Sequence, residues 1–155
     1  MTNRAMDAVL ERAIRNEEEA YQFYMQLQEL VEDPEAIDTL KFLAEEEKAH
    51  KAYLVRYREG GFYELMSDAS RIADYKVVEH ADRPEIRKGM TTRDVYLVAA
   101  AKELAAHNLY QELAAIHPGG AVKDMLIRMA KEELRHKEKV EYLYTNAAFP
   151  QTAGG

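Results

Sequence analysis

Apolar positions recur at helical spacing, three or four residues apart, along four long segments of the chain. The first stripe runs through Val9, Ala13, Ala20 and Leu27. No segment of useful length shows the strict apolar and polar alternation that is typical of a half-buried strand. We therefore predict an all-α protein. The predicted helices span about residues 3–31, 34–60, 91–117 and 121–146.

Local start and stop signals separate these helices. Asp33 followed by Pro34 is a favourable N-cap and first-turn pair for the second helix, and Thr91 with Asp94 is a favourable start for the third. The segment 117–120 contains a proline and two glycines, which end the third helix. Since the first and second helices, and the third and fourth, are joined by very short turns, each pair is expected to form an antiparallel hairpin.

The two hairpins repeat one another without a gap. A set of chemically active side chains recurs 86 residues later, and apolar positions such as Val9, Leu27 and Leu40 recur at the same offset as Val95, Leu113 and Leu126. The chain is therefore interpreted as a tandem duplication of one helical hairpin. The first set is Glu17, Tyr24, Glu47 and His50, and the second is Glu103, Tyr110, Glu133 and His136.

The hairpins are joined by a long connection over residues 60–92. Such a crossover places the second and third helices parallel to each other, which is the arrangement of ferritin-like four-helix bundles. We expect a single domain over residues 1–146, with 147–155 as a mobile tail.

Composition narrows the class of protein. The chain has 155 residues, 47% hydrophobic content and 32% charged residues, which suit one globular domain. It has no cysteine, which excludes disulfides and an iron centre held by four thiolates. The net charge of −7 disfavours nucleic acid as a partner. No apolar run approaches the roughly 18 residues of a membrane helix, and no secretory signal is visible, so we expect a cytoplasmic protein without a membrane partner.

The motif Glu-x-x-His occurs at 47–50 and again at 133–136. Residues three apart share a helix face and can direct two ligand atoms at one point. In a four-helix bundle the two remaining helices each add one glutamate at the same depth, which completes a site for two metal ions. Oxygen and imidazole ligands suit iron, with manganese or zinc as alternatives. The predicted metal ligands are Glu17, Glu47, His50, Glu103, Glu133 and His136.

The alternative interpretation is a solvated helix face, because a single Glu-x-x-His on a charged helix is usually exposed. Glu47 and Glu133 are, however, in phase with the apolar stripes of their helices, which favours burial. Their neighbours Glu46 and Glu132 are expected to face water. His107, one turn after Glu103, is assigned to structure or surface.

Tyr24 and Tyr110 lie two turns along the same faces as Glu17 and Glu103. A phenol there could donate a hydrogen bond to a carboxylate of another helix and orient it, and we predict a catalytic role for both. The alternative is a core aromatic whose hydroxyl is satisfied by hydrogen bonding.

The segments "AIRNEEEAYQFY", "LAEEEKAH", "AAAKELAAHNLY" and "MAKEELRH" resemble the ligand-bearing helices of rubrerythrin-like proteins, members of the ferritin-like superfamily. The resemblance covers about residues 5–145. It implies a diiron centre that reduces hydrogen peroxide, with the four glutamates as terminal or bridging ligands. It also implies a homodimer.

Two departures from the family pattern bear on the activity. Full-length rubrerythrins carry a rubredoxin domain, which this cysteine-free chain lacks, so electrons would come from an external donor such as a rubredoxin-type protein. Ala106 stands where rubrerythrin has an additional glutamate. The alternative functions are therefore an O2-dependent ferroxidase or iron-binding protein, and a diiron hydroxylase of a small molecule or transfer RNA.

Overall fold

The computed structural model describes residues 3–60, 71–117 and 119–148. It contains four long helices, and no strand occurs among these residues. The predicted all-α four-helix bundle is confirmed. The helices are α1 (Asn3–Gln28), α2 (Pro34–Arg58), α3 (Thr92–Ala115) and α4 (Ala121–Ala148), and a short 3-10 turn (Val78–His80) lies between α2 and α3.

All four predicted helix ends were wrong by two or three residues. α2 ends at Arg58 instead of residue 60, and α3 ends at Ala115 instead of residue 117. α1 ends at Gln28 instead of residue 31, because the amides of Glu29, Leu30 and Val31 each bond to the carbonyl three residues back, which tightens the chain into a turn. α4 continues to Ala148, so two residues assigned to the tail are helical. Residues 149–155 of the predicted mobile tail lie outside the described residues.

The predicted caps are present at α2 and α3. The side chain of Asp33 accepts a hydrogen bond from the amide of Glu35 at 3.2 Å, and that of Thr91 accepts one from Asp94 at 3.2 Å. Each satisfies an amide that has no partner within the helix. Thr92 Oγ1 also donates to Asp33 Oδ2, which joins the beginnings of α3 and α2. These two helices therefore start at the same end of the bundle and run parallel, as the crossover predicts.

The described part of the crossover is attached to the outside of α4 and to the end of α1. The amide of Val78 donates to Glu141 Oε2 at 2.8 Å, and the amide of Gly89 donates to the carbonyl of Leu30 at 2.8 Å. Gly89 has φ +78°, a conformation that glycine adopts without steric cost. The described part of the crossover is therefore packed against the bundle.

The core consists of two apolar clusters. One lies at the end of the bundle where α2 and α3 begin and includes Leu40 and Val95, and the other lies at the opposite end and includes Leu10 and Leu126. Burial of each large apolar side chain contributes about 1.5–3 kcal/mol. Between the clusters, at mid-height of all four helices, the core is charged.

Candidate metal centre

The charged layer consists of the six residues that the repeat singled out. Each helix directs its members inward because they continue the phase of the apolar stripe. All six are buried, the most exposed being His136 at 6%. They are Glu17 in α1, Glu47 and His50 in α2, Glu103 in α3, and Glu133 and His136 in α4.

These side chains form two overlapping groups of four, each able to hold a metal ion. In each group the four potential ligand atoms lie within 4.8 Å of one another. Glu47 and Glu133 belong to both groups, so each could contribute a ligand atom to both ions. The first group adds Glu17 and His50, and the second adds Glu103 and His136.

The imidazole contacts follow the symmetry of the repeat. His50 Nδ1 lies 3.2 Å from Glu133 Oε1 and 3.6 Å from Glu17 Oε2. The equivalent His136 Nδ1 lies 3.1 Å from Glu47 Oε1 and 3.4 Å from Glu103 Oε2. Each histidine therefore contacts the glutamate of the other hairpin's Glu-x-x-His motif, so neither hairpin forms the site alone.

The two tyrosines connect the hairpins in the same crossed manner. Tyr24 in α1 donates to Glu103 Oε1 in α3 at 2.7 Å, and Tyr110 in α3 donates to Glu17 Oε1 in α1. Burial, followed by the charge of the glutamate that each phenol contacts, raises the pKa of both tyrosines well above the usual value. Both hydroxyls therefore stay protonated and hold the two carboxylates in place.

The donor set fits a pair of metal ions because oxygens of all four glutamates converge with a ring nitrogen of each histidine, and these oxygens are incompletely hydrogen-bonded. Among the described residues, one buried carboxylate oxygen of each glutamate has no hydrogen-bond partner. A buried charged oxygen without a partner is costly, and bound cations remove that cost. The four oxygens are Glu17 Oε2, Glu47 Oε2, Glu103 Oε2 and Glu133 Oε2.

The four glutamates form two pairs, one with raised pKa values and one with lowered pKa values. Burial and the charges of the surrounding carboxylates raise the pKa of Glu47 and of Glu133 well above the ordinary range. Burial acts in the same direction on Glu17, but hydrogen bonds with Glu47 and His50 outweigh it and lower the pKa of Glu17 to about 2. Burial is likewise outweighed at Glu103, where the charge of His136 lowers the pKa.

The histidines gain protons in the metal-free site. Burial alone would lower the pKa of His136, but the charge of Glu103 and hydrogen bonds with the surrounding glutamates raise it well above the usual value. The pKa of His50 is also raised, since contacts with Glu17 outweigh burial. Protons on these groups would offset part of the negative charge of the four carboxylates. Two divalent cations would balance four ionised glutamates, at the cost of expelling these protons.

His107 is separate from this site. It is half-buried, and its Nδ1 lies 2.7 Å from the carbonyl oxygen of Ala130, which connects α3 with α4. It belongs to neither group of four.

Sequence reasoning missed two features around the site. Glu46 and Glu132, both expected to face water, are half-buried. Glu46 brings an oxygen within 4.8 Å of a ring nitrogen of both His50 and His136. Lys137 is fully buried against Glu141. The i, i+4 spacing from Glu46 to His50, and from Lys137 to Glu141, is the one signal in the sequence that could have identified them.

A family model described as Rubrerythrin matches residues 1–58 and 94–151, which together cover most of the chain and coincide with the two repeated hairpins. No curated protein and no solved structure matches the chain significantly. None of the helices within the described residues is long and apolar enough to cross a membrane.

Proposed function

Because the chain belongs to the rubrerythrin family, we propose that it is a diiron carboxylate oxidoreductase that reduces hydrogen peroxide with electrons from an external donor. The observation that carries this proposal is the set of four buried glutamates with one unpartnered oxygen each, beside two inward-facing imidazoles. Manganese or zinc could occupy the same donors.

In the proposed arrangement, Glu17 and His50 would hold one ion and Glu103 and His136 would hold the other, with Glu47 and Glu133 shared by both groups of ligands. Two ferrous ions would supply the two electrons of the reaction H2O2 + 2 e⁻ + 2 H⁺ → 2 H2O. The apolar clusters above and below the layer exclude water from the site.

Tyr24 and Tyr110 are proposed to orient Glu103 and Glu17 and to assist proton delivery. Their hydroxyls donate hydrogen bonds to site carboxylates, and their raised pKa values keep them protonated, so that they remain donors. These 155 residues contain no cysteine and therefore no four-thiolate iron centre, and we propose that an external rubredoxin-type donor supplies the electrons. We also propose a cytoplasmic homodimer.

The second candidate function is iron binding with oxidation by O2. It is favoured by the near symmetry of the site, in which each contact of one hairpin has an equivalent in the other, and by Ala106 in place of an additional acidic ligand.

The test is an anaerobic titration of metal-free protein with Fe(II), followed by stopped-flow mixing with hydrogen peroxide or with O2. We expect saturation at about two irons per chain and oxidation by peroxide at least about tenfold faster than by O2. Glu45→Ala, at an exposed position of α2, is the matched control and should behave like the natural chain. Faster oxidation by O2 would favour the second candidate, and bound iron inert to both oxidants would contradict an enzymatic role.

A further inference from the structure

Glu46 lies on the outer side of the two histidines. It follows Phe42 and precedes His50 at intervals of four residues, so the three side chains form one row along α2. The ring of Phe42 is 6.4 Å from that of His136, which shows that this row faces α4. One oxygen of Glu46 and one ring nitrogen of each histidine lie within 4.8 Å of one another.

The orientation of the rings determines which nitrogen is left for Glu46. Nδ1 of both histidines faces the buried carboxylates, at 3.2 Å from Glu133 and 3.1 Å from Glu47. The rings are stacked, with centroids 5.4 Å apart and planes inclined by 8°. Because Nδ1 and Nε2 lie on opposite sides of an imidazole ring, each Nε2 is directed away from the carboxylate that its Nδ1 contacts. An imidazole that binds a metal through Nδ1 keeps a proton on Nε2, and that proton needs an acceptor.

We propose that Glu46 is a positioning residue that accepts a hydrogen bond from Nε2 of both His50 and His136 in the metal-loaded protein. The two oxygens of one carboxylate serve the two parallel rings. This fixes the rotation of both imidazoles and makes each a stronger ligand. The inference rests on the dimetal part of the proposed function, and it does not depend on peroxide chemistry.

The repeat supplies the contrast that supports this role. The counterpart of Glu46 is Glu132, which joins no potential metal-binding group among the described residues. Arg135 Nε lies 3.7 Å from Glu132 Oε1, whereas the residue equivalent to Arg135 in the first hairpin is Ala49. The first hairpin therefore has no arginine at this spacing to attract Glu46, and one carboxylate serves both histidines.

The test uses the full chain loaded with Zn(II), which is redox-silent. Glu46→Gln and Glu46→Ala are compared with Glu132→Gln, the matched control. Zinc affinity is measured by competition with a chelator, and the imidazole Nε2–H signals are measured by ¹⁵N NMR. We expect affinity to fall at least about tenfold in Glu46→Gln and further in Glu46→Ala, because the amide oxygen still accepts one bond. Glu132→Gln should stay within about twofold of the natural chain.

The NMR signals separate positioning from a general structural effect. In the natural chain both Nε2–H protons should be slowly exchanging and hydrogen-bonded, and in Glu46→Ala both signals should move upfield or disappear, while Glu132→Gln retains them. Unchanged affinity and signals in both Glu46 variants would overturn this proposal alone. A third zinc ion per chain that is lost in Glu46→Gln would overturn it by making Glu46 a ligand. Absence of zinc binding in the natural chain would overturn the dimetal proposal as well.

Discussion

The bundle holds two groups of acidic side chains against α4, and it neutralises them in different ways. In the Lys137 cluster, the ammonium of fully buried Lys137 lies 2.6 Å from Asp74, 2.9 Å from Glu79 and 2.9 Å from Glu141. The second oxygen of Glu141 accepts a hydrogen bond from the backbone amide of Val78. In the six-residue site, by contrast, four carboxylate oxygens have no hydrogen-bond partner among the described residues.

The difference separates a structural cluster from a ligand site. A buried acid whose cation is a side chain, and whose oxygens all have partners, needs nothing further to be stable. A buried acid with an oxygen that accepts no hydrogen bond is not fully stabilised by the protein, and a bound cation would supply the missing partner. The two groups are about one helical turn apart on α4. They also differ in depth, because the side chains of Asp74 and Glu79 are 28% and 27% exposed, whereas all four glutamates of the six-residue site are buried.

The largest effect is expected where one carboxylate belongs to both metal groups. Glu47→Ala should abolish stoichiometric binding of both ions, because each group of four loses a member. Glu17→Ala should retain about one ion per chain, since the second group remains complete. Metal content after dialysis against limiting Zn(II), with Glu45→Ala as control, measures both. Two tightly bound ions in Glu47→Ala would refute the assignment of Glu47 as a shared ligand.

The Lys137 cluster should instead govern stability. Burial would lower the pKa of Lys137, but hydrogen bonds with Asp74, Glu141 and Glu79 outweigh it and raise the pKa to about 12, so the ammonium remains charged. Lys137→Met should lower the free energy of unfolding by about 3 kcal/mol, because it leaves the buried carboxylate of Glu141 without a cation.

Urea denaturation of metal-free protein measures this change. The matched control is Lys51→Met at the equivalent position of the first hairpin, where the lysine side chain is 40% exposed and the expected loss is at most about 1 kcal/mol. Lys137→Met should still bind two ions. A comparable stability loss in both variants would show that the Lys137 cluster stabilises the fold no more than an ordinary surface ion pair does.

A third expectation concerns the protons held by the metal-free site. The raised pKa values of Glu47, Glu133, His50 and His136 mean that the metal-free site holds protons that the loaded site cannot hold. Metal binding must release them, so affinity should rise with pH, by about tenfold per pH unit for each proton released, until these groups lose their protons in the metal-free protein.

Isothermal calorimetry of Zn(II) binding in buffers of different ionisation enthalpy counts the released protons. In Glu47→Gln fewer protons should be released, because glutamine lacks the carboxyl proton that metal binding displaces from Glu47. Affinity independent of pH in the natural chain would contradict the proposed charge balance.

The smallest effect is expected for the tyrosines. Tyr24→Phe removes one donor to Glu103 and should weaken metal binding by about 1 kcal/mol, or roughly fivefold, while two ions still bind. Tyr110→Phe should act equally through Glu17, given the symmetry of the two contacts. Chelator competition measures affinity, and stopped-flow oxidation measures reactivity. Loss of an ion in either variant would indicate a larger role than orientation.

Much of the fold and site was readable from the sequence, because the signals are local. The caps at Asp33 and Thr91 depend on residues two or three positions away, and the helical phase that buries Glu47 and Glu133 depends on the apolar stripe of one helix. The end of α1 was predicted less well, because the turn over residues 29–31 continues the apolar pattern without a glycine or proline before Pro34.

The sequence by itself determined the four helices, the twofold repeat and the six inward-facing donors, since these follow from spacing within single helices. Only the tertiary structure decided how equivalent residues of the two halves differ. Lys51 and Lys137 occupy the same repeat position, yet Lys51 is a part-exposed partner of Glu18 and Lys137 is fully buried. The physical reason is that the crossover brings Asp74 and Glu79 to α4, a contact between segments about 60 residues apart that no local pattern encodes.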